Sequence, residues 1–322
     1  MSKQLNYEHI DLNDPSYLKA IERYEKKQQQ EIERAEKQAQ KEAERKASEA
    51  ERQFREARKL EKRGELETAR EIYSKLADEK YPDALFKMFI FHLAKSRNND
   101  SERNKALSCL KEAANAGVPI AQLILGKWYL TGASGVPKDF THARRLLQQA
   151  ADQGVGEAYA QLGIMFMEGQ GVPENERAAV QYWEKGHDIG DIESTAYLGV
   201  WHAIQACDDE SHHDTALKYL LRAKEFGINT TIYFSSIEEA FTVNDTTIFL
   251  LIGQTYATKK KYNPSLKYLK KAKESLPDDA HPDDIEFINE AIKKVKDAKA
   301  FDLFITFAFF ILAILILGFL GL

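Results

Sequence analysis

The sequence is poor in the residues that mark several protein classes. Its 322 residues include two cysteines, Cys109 and Cys207, too far apart for the disulfide framework of a secreted scaffold, so a reducing compartment is expected. Charge of one sign is missing too: 45 Lys and Arg face 50 Asp and Glu, so no basic field is available to gather nucleic acid. No phosphate-binding Gly loop, His-Glu-x-x-His, Gly-x-Ser-x-Gly or Cys-x-x-Cys occurs, so neither catalysis nor a cofactor is expected. The N-terminus, MSKQLNYEHIDLNDP, lacks the apolar core of a signal peptide.

Proline and glycine are absent from Glu25 to Arg63, where 23 of 39 residues are charged, 10 acidic and 13 basic. Strong helix formers and pairs such as Glu33–Lys37 and Glu51–Arg55 favour a long solvated helix over residues 16–63, about 70 Å in reach. A sparse stripe of Ile32, Ala35, Ala39, Ala43, Ala47, Ala50, Phe54 and Ala57 leaves a weak coiled coil as the alternative. Residues 1–15 read as a polar tail.

Long apolar runs are absent except at one place. Leu303 to Leu322 reads LFITFAFFILAILILGFLGL, twenty uncharged residues that match the roughly 30 Å hydrocarbon core as a helix. With Lys293, Lys294, Lys296 and Lys299 just upstream, it predicts a tail-anchored, single-pass membrane protein whose bulk faces the cytoplasm. A bacterial inner membrane is preferred, with a eukaryotic organelle membrane as the alternative.

What the middle of the chain has is repetition. Gly117, Gly154, Gly190 and Gly227 recur at steps of 36 or 37, as do Leu125-Gly126, Leu162-Gly163 and Leu198-Gly199, and Ala143, Ala179 and Ala216. Ala121, Leu125 and Tyr129 share one helical face, Gly132 to Pro137 supplies turn chemistry, and Ala143, Leu146, Leu147 and Ala150 line a second helix. Each unit reads as a helical hairpin. The glycines inside helices cost about 1 kcal/mol relative to Ala, which implies close helix approach. Hairpins of this size bury their apolar face by stacking, so the fold expected is an all-α solenoid.

The pattern Ala-x3-Leu-Gly-x2-Tyr, then Gly169-Gln170-Gly171-Val172, then Ala-x2-Gly, resembles the Sel1-like repeat, a relative of the tetratricopeptide repeat. It is clear over 103–227. Degenerate units are read at about 64–100, from Ala69, Ala84 and Met88, and at 247–276, from Gly253, Tyr256 and Ser265 to Ala272, after an insertion around 228–246. A capping helix over 283–300 carries Ile285, Ile288, Ile292 and Val295 and completes a solenoid of residues 64–300. The third unit departs from the pattern, with no Gly-x-Gly-Val and with His202 where Tyr is usual.

Two groups of residues are candidates for binding. Phe91, Trp128, Met165 and Trp201 fall two places after the helix glycine or at the matching position, one per repeat; they form either a partner-binding stripe or an edge of the core. His202, Cys207, His212 and His213 carry metal-ligand chemistry in one interhelical stretch, but no standard metal motif fits. A solvated loop with Asp214 capping the next helix is the simpler reading, so no metal is expected.

The resemblance implies a non-catalytic scaffold that binds another membrane-associated protein, in an envelope, secretion or membrane quality-control assembly. A self-oligomerising membrane-structural protein, hence a homo-oligomer, is the alternative. A cell-wall or β-lactam hydrolase is a more distant one, because that activity goes with a cysteine-paired version of the repeat.

Overall fold

The computed structural model describes residues 15–206, 209–225, 229–234, 239–277, 280 and 282–301. They fall into two compact units divided after Phe91.

The first unit contains α1 (Pro15–Lys62), α2 (Leu66–Asp78) and most of α3 (Pro82–Lys95). Residues 26–48 of α1 are exposed at every position, which suits their charge, and the stripe residue Ile32 is 50% exposed. The stripe is buried only at its far end. Phe54 and Ala57 are in the core, where the Phe54 ring lies 5.3 Å from that of Tyr73 and 5.4 Å from that of Tyr81. Glu61 adds a polar tie, accepting from the Tyr73 hydroxyl at 2.8 Å and from Lys87 Nζ at 2.9 Å. Burial pushes the Glu61 carboxyl up, but those two donors outweigh it and hold the group below its ordinary value. These contacts group α2 and most of α3 with α1, so the division falls inside the span 64–300 that the repeat pattern reads as one solenoid.

The second unit continues through α4 (Asp100–Asn115), α5 (Pro119–Thr131), α6 (Phe140–Asp152), α7 (Gly156–Met167), α8 (Glu176–Asp188), α9 (Ile192–Gln205) and α10 (His212–Ala223). After the strands β1 (Asn229–Phe234) and β2 (Glu239–Asn244) come α11 (Asp245–Thr258), α12 (Tyr262–Glu274) and α13 (Pro282–Phe301). Four hairpins, α5–α6, α7–α8, α9–α10 and α11–α12, each pack internally and against the next element in the chain's order, the stacking that defines a helical solenoid.

Local chemistry sets the helix starts. The side chains of Asn99, Asp139, Asn175, Asp191 and Asn244 each accept from a backbone N–H three residues on, filling one open donor of the first turn. Helix α10 has no such cap: Ser211 at its start makes no side-chain bond. Asp214, expected from the sequence to cap it, instead lies within the first turn and pairs with Lys259 at 2.6 Å.

The glycines inside the first helix of each hairpin let the second helix approach. A Cβ on Gly163 would sit 2.1 Å from Trp183 Nε1, and the indole uses that space to donate to the Ala160 carbonyl at 3.2 Å. In the connecting loop, Gly171 takes φ +68° against Phe140, a place where a side chain would meet both strain and a clash.

Two further differences from the sequence reading concern the insertion and the last helix. The insertion around 228–246 contains an antiparallel pair, with Asn229 opposite Asn244 and Phe234 opposite Glu239, so the chain is not wholly α. Its β-branched and aromatic run Thr230-Thr231-Ile232-Tyr233-Phe234 accounts for that choice. In α13, Ile288 and Val295 are buried beside Leu250 and Leu269, while Ile285 is 37% exposed. Among the described residues no helix is long and apolar enough to cross a membrane. The segment 303–322 lies outside the described residues.

Candidate functional site

The stripe residues have unequal fates. Met165 is completely buried, in a core with Leu147, Ala158 and Leu162. Trp128 and Trp201 are half-buried, so each keeps part of its ring at the surface of the second unit. Trp201 packs on the core with one face and donates Nε1–H to Glu176, which also accepts from Gln205 Nε2 at 2.9 Å. Phe91, also half-buried, closes the first unit with its ring 6.3 Å from Tyr73.

A stronger pattern emerges three places after the helix glycine in three of the four hairpins. There Phe166, His202 and Tyr256 stack on Tyr182, Tyr219 and Tyr268 of the partner helix, at 5.3, 5.6 and 5.8 Å and within 20° of parallel. His202 therefore fills an aromatic place in the hairpin. Its ring differs from Phe and Tyr in carrying nitrogens, and Nδ1 lies 2.7 Å from Nδ1 of His212, at the start of α10. The Trp201 ring presents edge-on to both, 4.7 Å from His202 and 5.6 Å from His212. Asp209 Oδ2 stands 4.0 Å from the other nitrogen of His212, its carboxylate fixed by the Ser211 backbone N–H. His213 turns away and faces the Glu210 carbonyl with Nδ1, at 2.9 Å. Cys207 lies outside the described residues.

Burial, then the neighbouring His212, lowers the His202 imidazole to about 4. It is neutral at pH 7, so one of the two rings donates its Nδ1–H and the other accepts. Nearby, His187 Nδ1 sits 2.8 Å from Thr195 Oγ1, which could suggest a base and a nucleophile. The Thr195 hydroxyl instead spends its proton on the Asp191 carbonyl at 2.7 Å and is fully buried, so the ring donates to it and the pair is a structural tie.

A second electrostatic feature lies at the starts of α7 and α9. Glu157 pairs with Lys127 of the preceding hairpin. Glu193 stands one repeat later, and the position that matches Lys127 in the hairpin before it is Ile164. The Glu193 Oε2 is buried with no hydrogen-bond partner, and burial, then Glu157 and Asp191, push its carboxyl above the ordinary range. In the first unit, a groove of about 890 Å³ beside α1 is lined by Arg45, Lys46, Glu49, Glu79, Lys80 and Tyr81 among others, a mixed-charge surface.

Comparison with known proteins follows the same boundaries. The Sel1 repeat profile matches residues 96–118, 119–155 and 156–190, and its units start at or beside α5 and α7. It stops before the third hairpin, which lacks the Gly-x-Gly-Val turn. An uncharacterised protein of Neisseria meningitidis is 32% identical over 146 residues, 45% of this chain and 30% of that protein. The DAP3-binding cell death enhancer 1 of Mus musculus is 29% identical over 134 residues, 42% of this chain and 26% of that one. This chain thus spans less than a third of the curated relatives it matches. The crystal structure of a Sel1 repeat protein from Oxalobacter formigenes superposes with a TM-score of 0.52 at 19% identity, covering 75% of this chain and 99% of that one. Profile, fold and helix-by-helix geometry together identify residues 96–190 as Sel1 repeats set in a helical solenoid.

Proposed function

We propose that this chain is a non-catalytic adaptor that presents its solenoid to another protein from the cytoplasmic face of a membrane. The observation that carries the reading is the unequal burial of one column: Met165 is absorbed into the core, while Trp128 and Trp201 are only half-buried. Half-buried Trp on a rigid scaffold combines apolar area with little ordering cost on binding, the usual character of an interface anchor. The half-exposed Lys127–Glu157 pair, next to Trp128 in the sequence, supplies charged groups that would orient a partner. The uncharged stretch 303–322 supports the tether, which raises the effective concentration of the solenoid toward other membrane components.

Two measurements on the full chain test this reading. The protein is expected in the membrane fraction after alkaline carbonate, and a chain lacking 303–322 in the supernatant. Crosslinking in intact membranes is expected to join the native protein to a distinct protein, and Trp128→Ala with Trp201→Ala to abolish that adduct while the melting midpoint holds. An unchanged adduct would make both residues core packing alone. Recovery of only self-crosslinked chains would favour self-assembly, the reading supported by the uncovered stripe on residues 26–48 of α1.

A further inference from the structure

The last hairpin of the second unit differs in charge from the rest of the molecule. The chain has five more acids than bases, yet residues 259–273 hold seven lysines and no acid. Along α12, Lys267, Lys270 and Lys271 fall at i, i+3 and i+4 and share one exposed face, opposite the buried Ser265, Leu269 and Ala272. Lys260 and Lys261 continue the exposed charge into the α11–α12 turn. Among the described residues Lys260, Lys267 and Lys270 form no ion pair, while Lys271 Nζ lies 5.6 Å over the Phe249 ring. Acids nearby are few: Asp214 is taken by Lys259 at 2.6 Å, and Glu274 stands one turn beyond Lys270 on the same face.

We infer, on the strength of the membrane tether proposed above, that this lysine face is a docking surface for anionic phospholipid headgroups and lays the last hairpin against the bilayer. Helix α13 packs along α12, and Lys273 in the last turn of α12 donates to Asn289 of α13 at 2.8 Å. From there α13 runs back along α12, so at about 1.5 Å per residue its end comes level with the Lys259–Lys261 turn. Lys293 and Lys296 are exposed on that later half, with Asp297 as the acid beside them and Lys294 held by Glu290 at 3.2 Å. The uncharged stretch 303–322 starts two residues after α13 ends. The lysines therefore gather at the end from which the chain passes to its apolar segment.

The kind of base favours lipid over a shaped acidic partner. No arginine follows Arg222, so every cation of this face is a lysine. Lysine is a compact point charge that suits the diffuse field of a headgroup layer. A shaped carboxylate or phosphate site on a protein or nucleic acid favours the planar, bidentate fork of arginine instead. The cytoplasmic leaflet, the side proposed for the solenoid, is the anionic one, and each lysine near it adds to an attraction that fades within a Debye length.

The test uses the full chain reconstituted into vesicles of phosphatidylcholine, alone or with one third phosphatidylglycerol, and a water-soluble acetylating reagent read by mass spectrometry. Relative to the exposed Lys111 of α4, acetylation of Lys260, Lys267 and Lys270 should fall at least about threefold in the anionic vesicles. It should recover at about 1 M salt, where the Debye length is about 3 Å. Lys267→Gln with Lys270→Gln and Lys271→Gln changes only exposed side chains, so the fold should hold and Lys260 should lose most of its protection. Equal acetylation in the two vesicle types, protection that high salt leaves unchanged, or full protection of Lys260 in the variant would overturn the inference. Protection by soluble polyglutamate in neutral vesicles, with none from anionic lipid, would assign the face to an acidic protein and overturn it too. The tether is read separately, as resistance to alkaline carbonate in the neutral vesicles. Should the tether fail, flotation of the full chain decides the lysine face: salt-sensitive binding to anionic vesicles, at least about tenfold weaker in the variant, is expected, and equal binding to neutral vesicles contradicts it.

Discussion

The second and third hairpins start from the same repeat register and solve the same packing problem differently. In α7–α8 the loop runs through Gly169 and Gly171, the clasp between the helices is the backbone hydrogen bond from Asn175 to Phe166, and Trp183 fills the notch over Gly163. In α9–α10 the loop has no such glycines, Leu220 fills the smaller notch over Gly199, and the clasp is a pair of imidazoles. The aromatic stack survives in both, as Phe166 on Tyr182 and His202 on Tyr219. The ring stack is therefore common to both hairpins, while the polar link that closes each one differs in its chemistry. A backbone bond does not respond to pH over the range in which an imidazole pair titrates.

The comparison can be broken most sharply at the helix notches. Gly163→Ala drives a methyl into the Trp183 indole, which is locked by its bond to Ala160, and should cost about 2–3 kcal/mol or prevent folding. Gly199→Ala meets the movable end of Leu220 at 2.9 Å, though also its backbone nitrogen at 3.0 Å. Its helix-propensity gain of about 1 kcal/mol offsets part of the strain, so its loss should be about 1 kcal/mol or less. Urea titration of the two variants checks the order, and a larger loss for Gly199→Ala would contradict it.

Acid should separate the hairpins next. The His202 imidazole is lowered to about 4 in the folded chain against an ordinary 6.5, so the unfolded chain binds its proton first. The stability it contributes is complete above about 6.5 and is lost as pH falls toward about 4. Burial and then Arg222 lower His187 in the same direction. His202→Phe should therefore reduce the loss between pH 7 and 5 by on the order of 1 kcal/mol, discounted for the half-exposed ring. Melting midpoints at both pH values measure it; parallel slopes for the two proteins would contradict the assignment.

The smallest effect should come from the equivalent acids Glu157 and Glu193. Because the folded carboxyl of Glu193 is raised, its stability contribution shrinks as pH rises above the ordinary value of 4.5. Glu193→Gln should stabilise the protein at pH 7 by about 0.5 kcal/mol, after allowance for solvent screening. Glu157→Gln should be neutral or slightly destabilising, since it loses the Lys127 pair. Opposite signs in one denaturation experiment would sharpen the contrast between a partnered and an unpartnered position.

Much of the fold was legible because the same residues recur for a geometric reason. Gly126, Gly163 and Gly199 mark where a partner helix comes close, and Ala143, Ala179 and Ala216 are the buried small residues on that partner. Periodicity could not show that Phe54 and Ala57 belong to the core of the first unit, because they continue an apolar stripe whose earlier members are exposed. The strand pair was hidden by its position between two helical repeats. His202 and His212 were visible as potential ligands, but a ten-residue separation across a loop says nothing about which nitrogens meet. Met165 illustrates the limit of column arithmetic, since one register position is half-buried in two repeats and fully buried in the third.

The most direct test of the adaptor reading is site-specific photocrosslinking in intact membranes. A photoreactive residue is placed at position 128, at position 201, or at the exposed Gln149 of α6 as a control. Adducts with one common protein from positions 128 and 201, and none from 149, are the expected result. Equal labelling at all three positions, or no adduct at 128 and 201, would contradict it.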